Sequence, residues 1–378
     1  GKILSGSART MPDPALTKGT LYINQDRDFR TGEIGPYVKI GVVRGERAAT
    51  DRSQEHQTGN PREIITLHEF SSPMVHHLEG QLHNRFAKYW VHGEWFEMNS
   101  EFIEANVIPE AEKIIFEQLE SVADFEAKII QKNLESSGVV RTATEIEKEV
   151  AVKCFAAREE MLKAIAVKDF IDYQIRVLVA ENNGIENIVT MTYKQGATSF
   201  DKSSFISDNG QLAKKYFEER EPKLSGSIIL NKQKSLKDLN EIANTKIKQL
   251  KSVVPKFSWG SKDKNPLKRD DSSMILHAMY VHSLKDVAIT EWEFERQKAR
   301  LVNLLGKDKG IENIITYNRE LKPQEPAFNS KKFKSDHPEL YEAYLKEGKE
   351  SVAVTIESYR AYPPKDIDFA EYSKTIFD

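Results

Sequence analysis

The N-terminal part of the chain contains polar side chains of the kinds that phosphodiester hydrolysis needs. They are a phenol, an amine, a guanidinium, an imidazole and a carboxylate, carried by Tyr22, Lys39, Arg52, His56 and Glu79. One protein carboxylate can hold Mg²⁺, or Mn²⁺ in its place, because Mg²⁺ keeps several waters and takes further ligands from phosphate oxygens. An arginine fork matches phosphate geometry, and a cation beside a phenol lowers its pKa. These residue types indicate metal-dependent phosphodiester cleavage.

Short apolar runs bounded by turn residues predict the strands that carry the phenol and the amine. Residues 20–23 follow Gly19 and residues 37–41 follow Gly35-Pro36, and these runs predict two strands joined as a long hairpin. Tyr22 and Lys39 then lie on neighbouring strands, where their side chains can approach each other. Residues 63–70 predict a third strand of the same small antiparallel sheet.

Two predicted helices carry the remaining groups. The polar segment 47–57 has helical composition, and Arg52 and His56 share one face of it because they are four residues apart. Glu79 falls on a second helix that begins after Pro73. The apolar stripe of that helix recurs every four residues, at Met74, Leu78, Leu82 and Phe86.

The order of these residues resembles that of the GIY-YIG nucleases over residues 19–98. The paired strand motifs of that superfamily are similar to Gly19-Thr-Leu-Tyr-Ile23 and Val38-Lys-Ile-Gly41. Three later stretches, downstream of Arg52, resemble the phage and bacterial branch whose second motif contains lysine: Gln57-Thr-Gly-Asn-Pro61, Glu79-x-x-Leu82-His83-x-x-Phe86 and Gly93-Glu-Trp-Phe96. The resemblance implies a small nuclease module with an antiparallel sheet.

The resemblance also implies a role for each residue. Tyr22 would lie near the attacking water, and Lys39 stands where most members have a second tyrosine. Arg52 would contact phosphate, His56 would occupy the position one turn later, and Glu79 would bind the metal ion. Four further polar residues are candidates for other roles. Asn99 is a candidate for the late asparagine of the family, whereas His83 is interpreted as structural and the adjacent His76 and His77 as surface residues.

Composition and charge limit the classes of protein to which the chain can belong. A chain of 378 residues suggests two or three domains, and its 39% hydrophobic content is typical of a globular protein. The net charge of −3 gives no global basic field for nucleic acid. Cys154 is the single cysteine, which excludes an internal disulfide and a cysteine-rich zinc site. With no apolar run long enough to span a bilayer, we expect a cytoplasmic protein without membrane contact.

Beyond the first module the pattern is helical and then repeated. Amphipathic helices are predicted from Pro109 and from Thr144, where Thr144-x-x-Glu147 has capping-box spacing. Gly184–Thr190 returns as Gly310–Thr316, and four apolar positions after it return as well. These are Phe200, Phe205, Leu212 and Tyr216, matched by Phe328, Phe333, Leu340 and Tyr344. We interpret the repeat as a duplicated small α+β unit.

Between the copies, residues 231–269 contain 11 lysines and arginines against 3 acidic residues and predict a basic linker. The overall class is α+β. The predicted division is a tag-like leader (1–18), the nuclease module (19–98), a helical connector (99–182), the first α+β repeat (183–230), the basic linker (231–270) and a second long helix with its α+β repeat (271–378).

Two functions remain open at this point, with a third less well supported. The leading hypothesis is a Mg²⁺- or Mn²⁺-dependent DNA endonuclease, with RNA not excluded, serving phage defence or mobile-element biology. The alternative is a catalytically weak nucleic-acid-binding protein that retains the nuclease fold, which the lysine at position 39 keeps open. A purely structural protein would leave the ordered polar set unexplained. The repeats also resemble a tail unit of YqaJ-type viral recombinase exonucleases, which leaves either self-association or nucleic-acid contact open to them.

Overall fold

The computed structural model describes residues 16–45, 49–371 and 376–377, with the backbone alone for residues 49–51. It is 50% helical and 25% strand, which confirms the α+β class. The predicted leader lies mainly outside the described residues, but its boundary was too late. Leu16 packs near Met74, and the backbone oxygen of Thr17 accepts a hydrogen bond from Val75 at 3.0 Å. The fold therefore includes residues 16–18.

The first sheet has the predicted neighbours and is antiparallel throughout. Its strands run in the order β3-β1-β2-β5-β4. The register places Tyr22 opposite Gly41 and Lys39 opposite Asn24, so Tyr22 and Lys39 share a face. The bounds are β1 Gly19–Arg27, β2 Ile34–Arg44, β3 Glu63–Ser72, β4 Trp90–His92 and β5 Trp95–Glu97.

Helices cover both faces of this sheet. Helix α1, Ala49–Gln57, lies over the polar face, where the Asn24 amide donates to Ser53 Oγ at 3.2 Å. Helix α2, Val75–Arg85, buries the predicted stripe against the apolar face. Leu78 and Leu82 of that stripe are fully buried, as are the inward side chains of β1 and β2 at Leu21, Ile23, Val38 and Ile40. A 3-10 turn, Ala87–Tyr89, leads into β4.

The predicted helical connector consists of two long helices. Helix α3, Ser100–Phe102, continues through a π-helical segment, Ile103–Val107, into α4, Ile108–Lys132. After β6, Val140–Arg141, helix α5 covers Glu145–Val179. The predicted capping box is present at the start of α5, with Glu147 N donating to Thr144 Oγ1 at 3.3 Å.

The two copies of the repeat have the same succession of elements. The first copy begins with the long helices α4 and α5. It continues with β7 Val189–Phe200, α6 Lys202–Asp208, α7 Gly210–Ala213, a 3-10 turn Lys214–Tyr216, β8 Phe217–Ser225 and β9 Ile229–Leu230. The second comprises α8 Lys234–Ser252, a 3-10 turn Trp259–Ser261, α9 Asp271–Leu305, β10 Gly310–Ile311, β11 Ile315–Thr316, β12 Glu320–Phe328, α10 Ser330–Asp336, α11 Pro338–Ala343 and β13 Leu345–Ile356.

Strand pairing runs between the copies rather than within them. Strand β7 of the first copy pairs with β13 of the second, and β8 pairs with β12. One aromatic cluster joins both copies, with the rings of Phe205 and Phe333 at 4.3 Å. The copies are therefore intertwined into one body. The division into two separate units was wrong because each copy leaves strand edges that the other copy covers.

Equivalent contacts in the two copies show an internal two-fold relation. The hydroxyl of Tyr216 donates to Asp336, and that of Tyr344 donates to Asp208, both at 2.9 Å. Helices α5 and α9 have 35 residues each, and a capping box at Asp270 matches the one at Thr144. The duplication therefore includes the long helices.

The predicted basic linker is largely a packed element. Residues 234–252 form α8, which lies against α5 and buries Leu236 and Ala243. Helix α4 packs against α9 in the equivalent way. The linker interpretation was wrong over this helix because two buried apolar positions, seven residues apart, are enough to anchor an otherwise polar helix.

Candidate nuclease site

Tyr22 lies in the middle of β1 and is 1% exposed. Its hydroxyl accepts a hydrogen bond from the Arg52 side chain of α1. On the facing strand, a Cβ at Gly41 would lie 2.5 Å from Tyr22 Oη and 3.1 Å from Glu94 Oε2. Glycine is required at position 41 because the phenol and a carboxylate both close over it.

The charge state of Tyr22 differs from the sequence-based expectation. Burial, followed by the negative charge of Glu94, raises the pKa of Tyr22, and Arg52 only partly offsets this. The phenol therefore keeps its proton at neutral pH and can act as a hydrogen-bond donor. The neighbouring cation, Arg52, does not lower the pKa of Tyr22 below its ordinary value, because burial has the larger effect.

Lys39 of β2 and His56 of α1 are in direct contact, which the sequence analysis did not predict. Lys39 Nζ lies 3.0 Å from His56 Nε2 and 3.0 Å from Glu94 Oε2. An ammonium group only donates, so Nε2 accepts and His56 Nδ1 carries the hydrogen. That buried Nδ1 has no hydrogen-bond partner among the described residues. Burial, followed by Lys39, lowers the pKa of His56 and keeps the ring neutral.

Glu94 is a carboxylate that sequence reasoning missed. It follows Gly93 in the turn between β4 and β5, where Gly93 has a φ of 54°. Its backbone oxygen accepts from Ile40 N at 3.0 Å, which fixes the turn against β2. The signal was present in Gly93-Glu-Trp-Phe96, which contributed to the family resemblance, but no role was assigned to its carboxylate.

Glu79 approaches the same cluster from α2. Burial, followed by an opposing interaction with His76 and by the charge of Glu94, leaves the pKa of Glu79 raised. His76 Nδ1 is 3.9 Å from Glu79 Oε2. A positive charge stabilises the ionised form of a desolvated carboxylate that lies beside a second carboxylate. The pair formed by Glu79 and Glu94 is therefore a place at this end of the sheet that attracts a cation.

Two further residues reach the site from the repeat body. Lys285 of α9 donates to His83 Nδ1 at 2.9 Å, and burial lowers its pKa to about 8 against the opposing charges of Glu79 and Glu94. Tyr359, which follows β13, donates a hydrogen bond to the Glu94 side chain. Neither residue lies within the predicted module, so sequence spacing gave no indication of them.

The remaining histidine and asparagine predictions have mixed outcomes. His83 is 3% exposed and donates from Nε2 to the Ile40 oxygen at 2.8 Å, which confirms a structural role. Asn99 caps α3 by accepting from Phe102 N, at 2.8 Å. The surface interpretation of His77 was wrong, since its ring stacks on Trp292 at 3.8 Å and burial lowers its pKa to about 3.

The donor set can be compared with what a divalent cation requires. Within the described residues, no group of three or more His, Cys, Asp or Glu side chains is arranged to hold a metal ion. Mg²⁺ does not need such a group, because one or two carboxylates suffice when waters and phosphate oxygens complete its shell. The desolvated Glu79 carboxylate beside Glu94 fits that mode of binding.

Comparison with known proteins gives a match to part of the chain. The family model of the T5orf172 domain matches residues 19–114. These residues include the whole first sheet and extend into α4. Searches of curated proteins and of solved structures give no match. In the part of the chain that the structure describes, no helix is long and apolar enough to cross a membrane.

Proposed function

We propose that this protein is a metal-dependent endonuclease that hydrolyses phosphodiester bonds in DNA through a GIY-YIG-type site. The observation that carries the proposal is the meeting of Lys39, His56 and Glu94, with both Lys39 contacts at 3.0 Å, beside the pair formed by Tyr22 and Arg52. Taking so many polar and charged groups partly out of water in a small module costs stability, so their convergence at one place indicates a function. Phosphodiester chemistry uses all of these groups.

The T5orf172 match supports this proposal in outline. The domain is phage-associated and related to GIY-YIG and HNH-like nucleases, which agrees with a nuclease or DNA-binding function. The assignment to the GIY-YIG type rests on the order of the motifs around Tyr22, Lys39 and Glu79. A role in phage defence or mobile-element biology is part of the same proposal.

In the proposed site each residue has a distinct task. Glu79, with Glu94 beside it, would hold Mg²⁺ or Mn²⁺, which when bound supplies positive charge to the phosphate oxygens. Arg52 is 42% exposed at its side chain, so its guanidinium can turn to a phosphate. The Nδ1–H of His56 has no partner among the described residues and is a donor that a phosphate oxygen would satisfy. Tyr22 would orient the attacking water through its hydroxyl.

A second candidate function is a nucleic-acid-binding protein with weak or no catalysis. It is favoured by the state of the phenol, because burial raises the pKa of Tyr22 and makes it a poor base. Both candidates bind DNA, so only a cleavage assay separates them.

The test of the proposed function is cleavage of supercoiled plasmid by the full-length protein. We expect nicked and linear products with Mg²⁺ or Mn²⁺ and none with EDTA, because the carboxylate pair needs the cation. A parallel reaction on RNA of matched length measures the substrate preference. DNA binding with no cleavage in either ion would exclude the endonuclease and leave the second candidate.

Helix α8 provides a test of how the body contacts DNA. Its Lys246, Lys248 and Lys251 belong to the segment with the local excess of positive charge. If they bind phosphates, changing all three to glutamine should reduce the slope of log affinity against log salt by ~0.9 for each phosphate no longer neutralised on duplex DNA. The slope is measured by fluorescence anisotropy over a series of salt concentrations.

The matched control for this measurement is a triple glutamine variant of α10. Lys331, Lys332 and Lys334 lie on α10, whose Phe333 belongs to the aromatic cluster that joins the two copies. An unchanged slope in the α8 variant would show that these lysines do not bind phosphates. An equal change in the control would show that the effect is not specific to α8.

A further inference from the structure

The segment after β13 crosses the nuclease module and packs against β4. The His92 ring donates from Nδ1 to the Ala361 oxygen at 2.8 Å and stacks on the Tyr362 ring at 4.0 Å. Ala361 is fully buried, and Phe369 lies 6.1 Å from Trp90 between ring centres. Residues 357–371 therefore form a strap, bound to the strand that precedes the Glu94 turn.

The strap is attached to the repeat body as well. His277 of α9 donates to the Glu357 oxygen at 2.6 Å, and Glu357 N donates to the Ile188 oxygen at 2.8 Å. The ring of Phe369 stacks on His282 of the same helix at 4.3 Å. With contacts on two sides, the strap has a defined position relative to the site.

This position places Tyr359 at the acidic end of the site. Its hydroxyl donates to the Glu94 carboxylate, and its ring would lie 3.9 Å from a Cβ at Gly93. Glu94 is held at the same time by Lys39 at 3.0 Å. A carboxylate held by a neutral donor and an ammonium has little freedom to rotate. Tyr359 itself is 38% exposed, so a substrate can lie beside it.

We propose that Tyr359 is a positioning residue of the nuclease site, which the C-terminal strap supplies to hold the Glu94 carboxylate. This inference rests on the proposed function. It means that residues 19–114, which match the T5orf172 domain, contain only part of the working site. The repeat body then serves the site directly, since the strap is anchored on α9.

The geometry also admits the opposite effect, a strap that blocks the site until DNA displaces it. The two differ in the sign of one substitution. If Tyr359 positions Glu94, removing its hydroxyl slows cleavage; if the strap blocks the site, weakening its contact speeds cleavage. The contact with Glu94 favours positioning, because Tyr359 and Lys39 then hold the same carboxylate together.

The experiment is single-turnover cleavage by full-length Tyr359→Phe, Glu94→Gln and the double variant, with DNA affinity measured in Ca²⁺. Tyr362→Phe is the control, because it removes a hydroxyl from the same strap and keeps the ring on His92. We expect Tyr359→Phe to lower the rate constant about tenfold with unchanged DNA affinity, as for the removal of a hydrogen bond to a charged group. In the Glu94→Gln background the same change should have little further effect.

Each result has one interpretation. Slow cleavage by Tyr359→Phe that vanishes in the Glu94→Gln background, with a parent-like Tyr362→Phe, supports the positioning role. Parental or faster cleavage by Tyr359→Phe overturns it and leaves the endonuclease proposal standing. Additive effects of the two substitutions overturn it too, because Tyr359 would then act elsewhere. A parent protein that cleaves no DNA overturns the proposed function and this inference with it.

Discussion

Glu79→Gln is expected to abolish ion-dependent DNA cleavage and to leave DNA affinity close to that of the parent. Glutamine keeps the length of the side chain and removes the negative charge that a hard cation requires. Affinity should persist because it depends on basic side chains and phosphates. Plasmid cleavage and anisotropy in Ca²⁺ measure the two effects separately. The control is Glu97→Gln, which makes the same change at an exposed position of β5.

The same substitution should have an effect on stability that does not depend on activity. Since burial raises the pKa of Glu79, the native state keeps this proton to a higher pH than the unfolded state does. Stability is then lost as pH rises above the ordinary carboxyl range, so ionised Glu79 destabilises the fold at neutral pH. Without metal, Glu79→Gln should therefore melt at or above the parental temperature.

Metal ions should reverse this order. Mg²⁺ or Mn²⁺ should raise the melting temperature of the parent, because a ligand that binds the native state stabilises it, and should have little effect on Glu79→Gln. Thermal melts with and without the ion give the comparison, with Glu97→Gln again as the control. An equal response of parent and Glu79→Gln would contradict metal binding at Glu79, and parental cleavage by the variant would contradict its role in catalysis.

Tyr22→Phe should slow single-turnover cleavage by about 10²-fold or more, because the hydroxyl that orients the attacking water is lost and a misplaced nucleophile reacts slowly. Only the hydroxyl is removed, so the packing over Gly41 remains while the hydrogen bond from Arg52 disappears. Tyr37→Phe is the matched control, since Tyr37 lies on the neighbouring strand and is 41% exposed. Parental cleavage by Tyr22→Phe would mean that the phenol is structural and that the proposed roles are wrong.

Lys39→Met extends this test to the proton chemistry. The positive charge of Lys39 helps to lower the pKa of His56, second to burial. Removing that charge should raise the pKa of His56, so the limb of the pH–rate profile that requires neutral His56 should move to higher pH. Lys88→Met, an exposed change in the same module, is the control. A lower plateau with an unmoved limb would exclude His56 as the titrating group.

Local patterns were sufficient to predict most of the module's elements. The strand that carries Tyr22, the helix that carries Arg52 and His56, and the stripe beside Glu79 depend on residues close together in the chain, and the structure has all of them. The capping box at Thr144 was predicted for the same reason, because its two hydrogen bonds join residues three apart. The repeat was visible because duplicated segments keep recognisable sequence.

The sequence also determined which face each side chain occupies once its neighbours were assigned. Alternation along β1 and β2 puts Tyr22 and Lys39 on one side and the apolar side chains on the other. The buried pair in α8 has helical spacing too, but the surrounding lysines concealed it. There the net charge of the segment was given more weight than two apolar residues, and the tertiary packing against α5 was missed.

Only the tertiary structure decided which distant segments meet. The pairing of β7 with β13 and of β8 with β12 joins residues 95 to 167 positions apart, and any exposed strand edge accepts any other by the same backbone hydrogen bonds. Lys285 and Tyr359 enter the site for the same reason, because α9 and the strap are brought there by packing. Such contacts have no period and no spacing within one sequence. The types of groups available for chemistry could therefore be predicted from the chain, whereas their partners, their charge states and the completeness of the site depend on the folded protein.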